Sequence, residues 1–168
     1  MSLTMYDASV PRFAHMLRNL YVILAKAQAH AVAKKIAPEV LLAARLFPDM
    51  LPMVKQVQIA TDHAKGAVAR LAGAEVPRYE DSEQTFDELR ARIAKTIAFV
   101  GTFTAAQLDG SEQRPIALRV GGKDWSFTGQ DYLLGFALPN FYFHLVTAYN
   151  ILRHNGVEIG KGDYLGEP

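Results

Sequence analysis

Tyr132 to Leu152, YLLGFALPNFYFHLVTAYNIL, runs for 21 residues without Asp, Glu, Lys or Arg. That is long enough to cross a bilayer as a helix, so its reading decides between a membrane protein and a buried helix. Asn140, His144, Thr147 and Asn150 lie within the run and Pro139 interrupts it. Polar groups in hydrocarbon are costly, and every other segment reads as amphipathic, which favours the buried helix. At about 100° per residue, Leu133, Phe136, Asn140, His144, Thr147 and Ile151 fall within about 40° of one line, which sets three polar side chains inside an apolar stripe. The opposite side carries Leu138, Tyr142, Leu145 and Tyr149, so the helix is apolar nearly all round. A bundle leaves one side of each helix outside, and this second stripe needs cover from a hairpin, a tail or another copy of the chain. We expect a two-fold homodimer through Leu138, Tyr142, Leu145 and Tyr149, with the hairpin as the competing cover.

Upstream of this run the hydrophobic period is two. Ile116, Leu118 and Val120 alternate with Ala117 and Arg119, Gly121-Gly122 supplies a two-residue turn, and Trp125 and Phe127 alternate on the return. Two glycines accept the positive φ angles of a type I′ turn, and the register pairs Leu118 with Trp125 and Ile116 with Phe127. This hairpin spans about residues 115–127 and must lie against helices, because two strands alone are marginal in water. Thr128 and Asp131 then give a capping box that opens the last helix, which runs to about His154. Beyond Asn155-Gly156, the tail over about 156–168 is expected to be extended or loosely ordered.

The helical period of 3.6 governs the rest. Phe13, Met16, Leu17, Leu20, Leu24 and Ala27 form one stripe, behind Thr4 and Asp7 as a cap and Pro11 as a kink or boundary. Pro38 to Leu42 reads as a short connecting helix. From Asp49, Met53, Val57, Ala60, Ala64, Ala67, Val68 and Leu71 hold a stripe up to Gly73. Its small residues let a neighbour approach closely or leave a space. Thr85 and Glu88 cap a third long helix with Phe86, Leu89, Ile93, Thr96, Ile97 and Val100 inward and Arg90, Arg92 and Lys95 outward. The expected fold is all-α: a four-helix bundle with a β-hairpin before the last helix, a single domain over residues 1–168.

Composition agrees. The 168 residues carry 18 basic and 17 acidic side chains, are 50% hydrophobic and contain no Cys. The near-balance argues against a dedicated nucleic-acid binder, and zero Cys removes disulfides, thiolate metal sites and Cys nucleophiles. The first basic residue is Arg12 and no signal-type apolar stretch precedes it, so a cytoplasmic location with neither membrane nor nucleic acid as partner is expected. There is no P-loop, dinucleotide fingerprint, G-x-S-x-G elbow or H-E-x-x-H.

Chemistry therefore concentrates on the last helix. Asn140 and His144, one turn apart on a buried stripe, could hydrogen-bond to neighbouring helices, hold a water or coordinate a metal. Pro139 cannot donate to the Gly135 carbonyl, which leaves an acceptor nearby. On the second long helix, His63 lies about 105° from the stripe centre, at its border, where it faces a cleft or solvent. His15, His30 and His154 read as surface residues.

The helix order, the inserted hairpin and an inward His ahead of Leu152-Arg153-His154-Asn155-Gly156-Val157 resemble the DinB-like, YfiT-like metalloenzyme superfamily. Pro48-Asp49-Met50, the stretch Gln56 to Lys65 (QVQIATDHAK), Phe127 to Tyr132 (FTGQDY) and Leu138-Pro139-Asn140-Phe141 are similar to a bacterial branch known only as a domain of unknown function. The superfamily's usual site has one His on its second helix and a His-x-x-x-His on its fourth. The resemblance implies that His144 is the second His of that pair, with Asn140 replacing the first and Gln58 replacing the His of the second helix. Amide oxygens are weak ligands for Zn²⁺ or Ni²⁺ beside imidazole. The expectation is thus a small molecule bound in the bundle core by Asn140, His144, Gln58 and Thr147. The alternative is a metal-dependent thiol-transferase or hydrolase, with Zn or Ni on His144.

Overall fold

Thr4 opens the first long helix. Its hydroxyl oxygen accepts from the Asp7 backbone N–H, and α1 runs Met5–Lys34 in a computed structural model that describes residues 3–167. The helix passes through Pro11 without ending. The Asp7 carbonyl, four residues before the proline and deprived of its donor, accepts from Arg12 Nε at 3.3 Å. Phe13, Leu17, Leu20, Leu24 and Ala27 of the expected stripe are fully buried.

After the short α2, Pro38–Ala43, the second long helix α3 spans Met53–Ala72 and ends on Gly73 at φ 68°. It starts four residues later than the periodicity suggests, because Pro52 disfavours helix at Leu51 and is itself the N-cap. Helix α4, Phe86–Val100, begins with the capping box of Thr85 and Glu88, followed by α5, Ala105–Leu108. Strands β1, Ile116–Val120, and β2, Lys123–Phe127, pair antiparallel with Leu118 opposite Trp125 and Ile116 opposite Phe127. Gly121 and Gly122 carry the positive φ angles of 58° and 79° that this turn requires.

The last long element is not one regular helix. A single turn, α6 (Gly129–Asp131), leads into a π-helical segment over Tyr132–Ala137, and α7 continues as Leu138–His154. Leu138 N–H reaches back five residues to the Leu133 carbonyl. Pro139 has no N–H for Gly135, so regular winding loses a bond here, and the wider turn absorbs the defect. Ordinary winding rotates residues four apart by about 40°. The π segment offsets that rotation and brings Tyr132, Phe136 and Asn140 to one cleft wall.

Helices α3 and α7 pack against each other, and the small residues Ala60, Ala64 and Ala67 of α3 are fully buried. No helix among the described residues is long and apolar enough to cross a membrane.

Two expectations, the loose tail and the outward Arg92, are corrected. The tail is ordered: α8, Lys161–Leu165, lies on α1, with Val157 and Ile159 buried. His15 donates to the Leu165 carbonyl at 2.6 Å and Asn19 to the Tyr164 carbonyl at 3.0 Å. The stripe expected to meet a second copy also packs partly within the chain. Leu145 is fully buried, while Leu138, Tyr142 and Tyr149 pack half-buried against the core. The Tyr164 ring lies 6.1 Å from that of Tyr149. Arg92, expected outward, is 4% exposed, because the loop before α4 folds Asp81 and Glu83 over it and Asp62 meets it from α3.

Candidate functional site

Gln56, His63 and Arg70 are spaced by seven, two helical turns, and so share one edge of α3 beside its apolar stripe. That edge faces α7. The imidazole of His63 lies 5.9 Å from that of His144 with ring planes 15° apart, and 5.9 Å from the Phe136 ring at a steep angle. The His144 Nδ1 sits 2.7 Å from Gln56 Oε1. Gln56 is 2% exposed, and its Nε2 donates to the Leu51 carbonyl at 2.9 Å. A backbone carbonyl can only accept, so the amide nitrogen must face Leu51 and the amide oxygen must face His144. His144 therefore carries its proton on Nδ1, and in the neutral ring Nε2 keeps the lone pair.

The surroundings of both rings favour the neutral form. Burial, followed by repulsion from His144, lowers the His63 pKa to about 4, with Arg70 lowering it further and Asp62 opposing. Burial also lowers that of His144.

In front of His63 a cleft of about 280 Å³ is lined by Asp62, His63 and Arg70 of α3, Leu118, Arg119 and Val120 of β1, and Tyr132, Phe136 and Asn140. The hairpin forms its outer wall. Phe127 anchors it, with ring centroids 5.5 Å from Phe136 and 6.1 Å from Tyr132. Asn140 donates to the Phe136 carbonyl at 2.7 Å, which leaves its Oδ1 for the cleft. Arg70 donates to the Tyr132 hydroxyl at 3.0 Å.

A model of a domain of unknown function, DUF1993, matches residues 5–165. The chain belongs to this family. A crystal structure of a DinB family member protein from Shewanella denitrificans at 1.83 Å resolution is similar, with a TM-score of 0.91 and 46% identity, over 97% of this chain and 92% of that one. No curated protein matches. DUF1993 thus carries the DinB-type bundle, with its hairpin before the last helix.

In this DUF1993 chain the residues expected at the site separate. His144 and Asn140 lie on the α7 side of the cleft and its histidine pair. Gln58 does not reach it. Two residues from Gln56, it points about 200° away around α3 and donates to Glu83 at 2.8 Å. Thr147 is spent as well, donating to the Phe143 carbonyl of its own helix at 2.7 Å. The side chains that sequence reasoning missed or set at the border are Gln56, His63, Arg70, Tyr132 and Phe136. The seven-residue spacing of the first three was a usable signal.

The donors also bear on a metal. Among the described residues no three His, Cys, Asp or Glu side chains gather as a ligand set. Gln56 Oε1 and His144 Nδ1 satisfy each other, which leaves two imidazole nitrogens and the Asn140 amide oxygen. That set does not fit a tight Zn²⁺ or Ni²⁺ site, which calls for more imidazole, carboxylate or thiolate.

Proposed function

We propose that the protein binds a small organic molecule in the cleft between α3, the π segment with α7, and the hairpin. His63 and Asn140 contact the ligand, and His144 positions His63. One observation carries this reading: the His63 ring stands at the cleft between Phe136 and His144, with its pKa lowered to about 4. A base that weak is poorly matched to proton abstraction at neutral pH, where catalytic groups work best with a pKa near the operating pH. A neutral imidazole instead offers one donor and one acceptor, and the Asn140 oxygen adds an acceptor. An aromatic wall with a few polar groups is the usual make-up of a ligand pocket.

The donor set does not favour the metal-dependent transferase or hydrolase. A two-fold dimer through Leu145 is not favoured either, since that side chain is already buried; Leu134 and Phe143, 49% and 57% exposed, are the apolar side chains this segment leaves outside.

The test is a fragment screen read by the NMR signals of His63, His144 and Phe136. Hits should move these signals in the wild type and lose affinity at least tenfold in His63→Leu. Hits that all map elsewhere, such as the apolar groove of Tyr21, Val22 and Ile97, would sink the reading.

A further inference from the structure

Gly66 stands in the middle of α3, where glycine weakens a helix relative to alanine. A methyl group there would collide with Nη1 of Arg70, whose side chain folds back over the glycine. Helical side chains lean toward the N-terminus, so this packing carries the guanidinium toward the level of His63. The glycine makes room for a charge at the cleft.

That charge has no carboxylate of its own. Among the described residues no ion pair includes Arg70. Asp62, which lines the same cleft, gives its Oδ1 to Lys65 and to Arg92, both at 2.8 Å. Tyr132 accepts from Arg70 and keeps its own proton to donate. A guanidinium fork beside a phenol O–H presents several donors to one anionic group. Leu118, Val120 and Phe136 supply apolar lining to the same cleft.

We propose that the cleft takes a small monoanionic carboxylate, its carboxyl group on Arg70 and Tyr132 and its apolar body against Phe136, Leu118 and Val120. This rests on the reading of the cleft as a ligand site. A phosphate dianion fits less well, because Arg119, the other guanidinium of the cleft, already faces Asp124 at 3.7 Å, which leaves Arg70 and a neutral imidazole to meet the dianion while Asp62 repels it.

Benzoate and benzamide share a shape and differ in charge. Each is titrated at pH 7 while the imidazole signals of His63 and His144 are followed by NMR. Benzoate should bind saturably and at least tenfold more tightly than benzamide. Arg70→Gln should bring the two within threefold by weakening benzoate far more than benzamide. Gly66→Ala favours the helix and so keeps the protein folded, and by displacing the guanidinium it should weaken benzoate at least fivefold. Equal binding of the two probes to the wild type overturns the carboxylate assignment and leaves the ligand-site reading standing. Benzoate binding undiminished in Arg70→Gln or Gly66→Ala overturns it too, by placing the anion elsewhere. Silence of His63 and His144 toward both probes removes this assignment and the ligand-site reading together.

Discussion

Gln56 Oε1 accepts the Nδ1 proton of His144 at 2.7 Å, joining the start of α3 to the middle of α7. The Leu51 carbonyl fixes the amide from behind, so a loop residue decides which nitrogen of a helical imidazole is protonated. A hydrogen-bond partner on one ring nitrogen in this way sets the tautomer and the ring orientation.

Gln56→Leu removes both bonds and strands the Leu51 carbonyl and His144 Nδ1. Unfolding by urea should show a loss of about 1–3 kcal/mol. Nitrogen-15 spectra should show His144 losing its preference for the Nδ1–H form. An Nε2–H ring in the wild type would contradict the arrangement.

The lowered histidine pKa values make stability depend on pH. An unfolded His titrates near 6.5, whereas His63 titrates at about 4 in the fold. Between these values the unfolded chain binds the extra proton, so stability rises with pH through the window. The His63 contribution is complete above pH 6.5 and lost as pH falls to 4, amounting to about 3 kcal/mol at most. His144, also lowered, acts in the same direction, and Asp62, Arg70 and His144 are the charged or titratable neighbours involved. Urea midpoints at pH 7.0, 5.5 and 4.5 should fall steeply in the wild type and much less in His63→Phe.

Arg92 gathers Asp62, Asp81 and Glu83 at 2.8, 3.1 and 3.1 Å and donates to Thr61 Oγ1 at 2.7 Å. Arg92→Leu should destabilise by roughly 3 kcal/mol, the lower end for breaking a buried pair, because the Asp62 and Asp81 side chains remain 43% and 39% exposed. It should also loosen the loop before α4, seen as faster amide exchange over residues 79–84.

Features with local causes could be read before the fold was known. Thr85 and Glu88 cap α4 through bonds three residues apart, and Gly121-Gly122 fixes the hairpin register by backbone conformation alone. The site depended on finer angles. Gln56 and Gln58 are the same residue type about 200° apart on one helix, and nothing within α3 says which amide meets His144. Pro139 announced a missing bond, but its resolution as a π turn, which re-aims Phe136 and Asn140, is settled by packing on α3 and the hairpin. Arg92 looked outward because two of its three carboxylates, Asp81 and Glu83, come from a loop with no periodicity. The tail looked loose because its order derives from contacts with α1 across more than a hundred residues.

The covered stripe on α7 separates folding from association. Leu145 is fully buried within one chain, so Leu145→Ala should cost about 2–5 kcal/mol by leaving a cavity. Tyr142 packs half-buried against the core with its ring 5.4 Å from that of Phe141, so Tyr142→Asp should also destabilise, by placing a charge where burial already resists ionisation of the phenol. Neither change should alter the mass measured by sedimentation equilibrium while the chain stays folded. A wild-type dimer at micromolar concentration that Tyr142→Asp converts to folded monomer would mean that the tail gives up this face to a second copy.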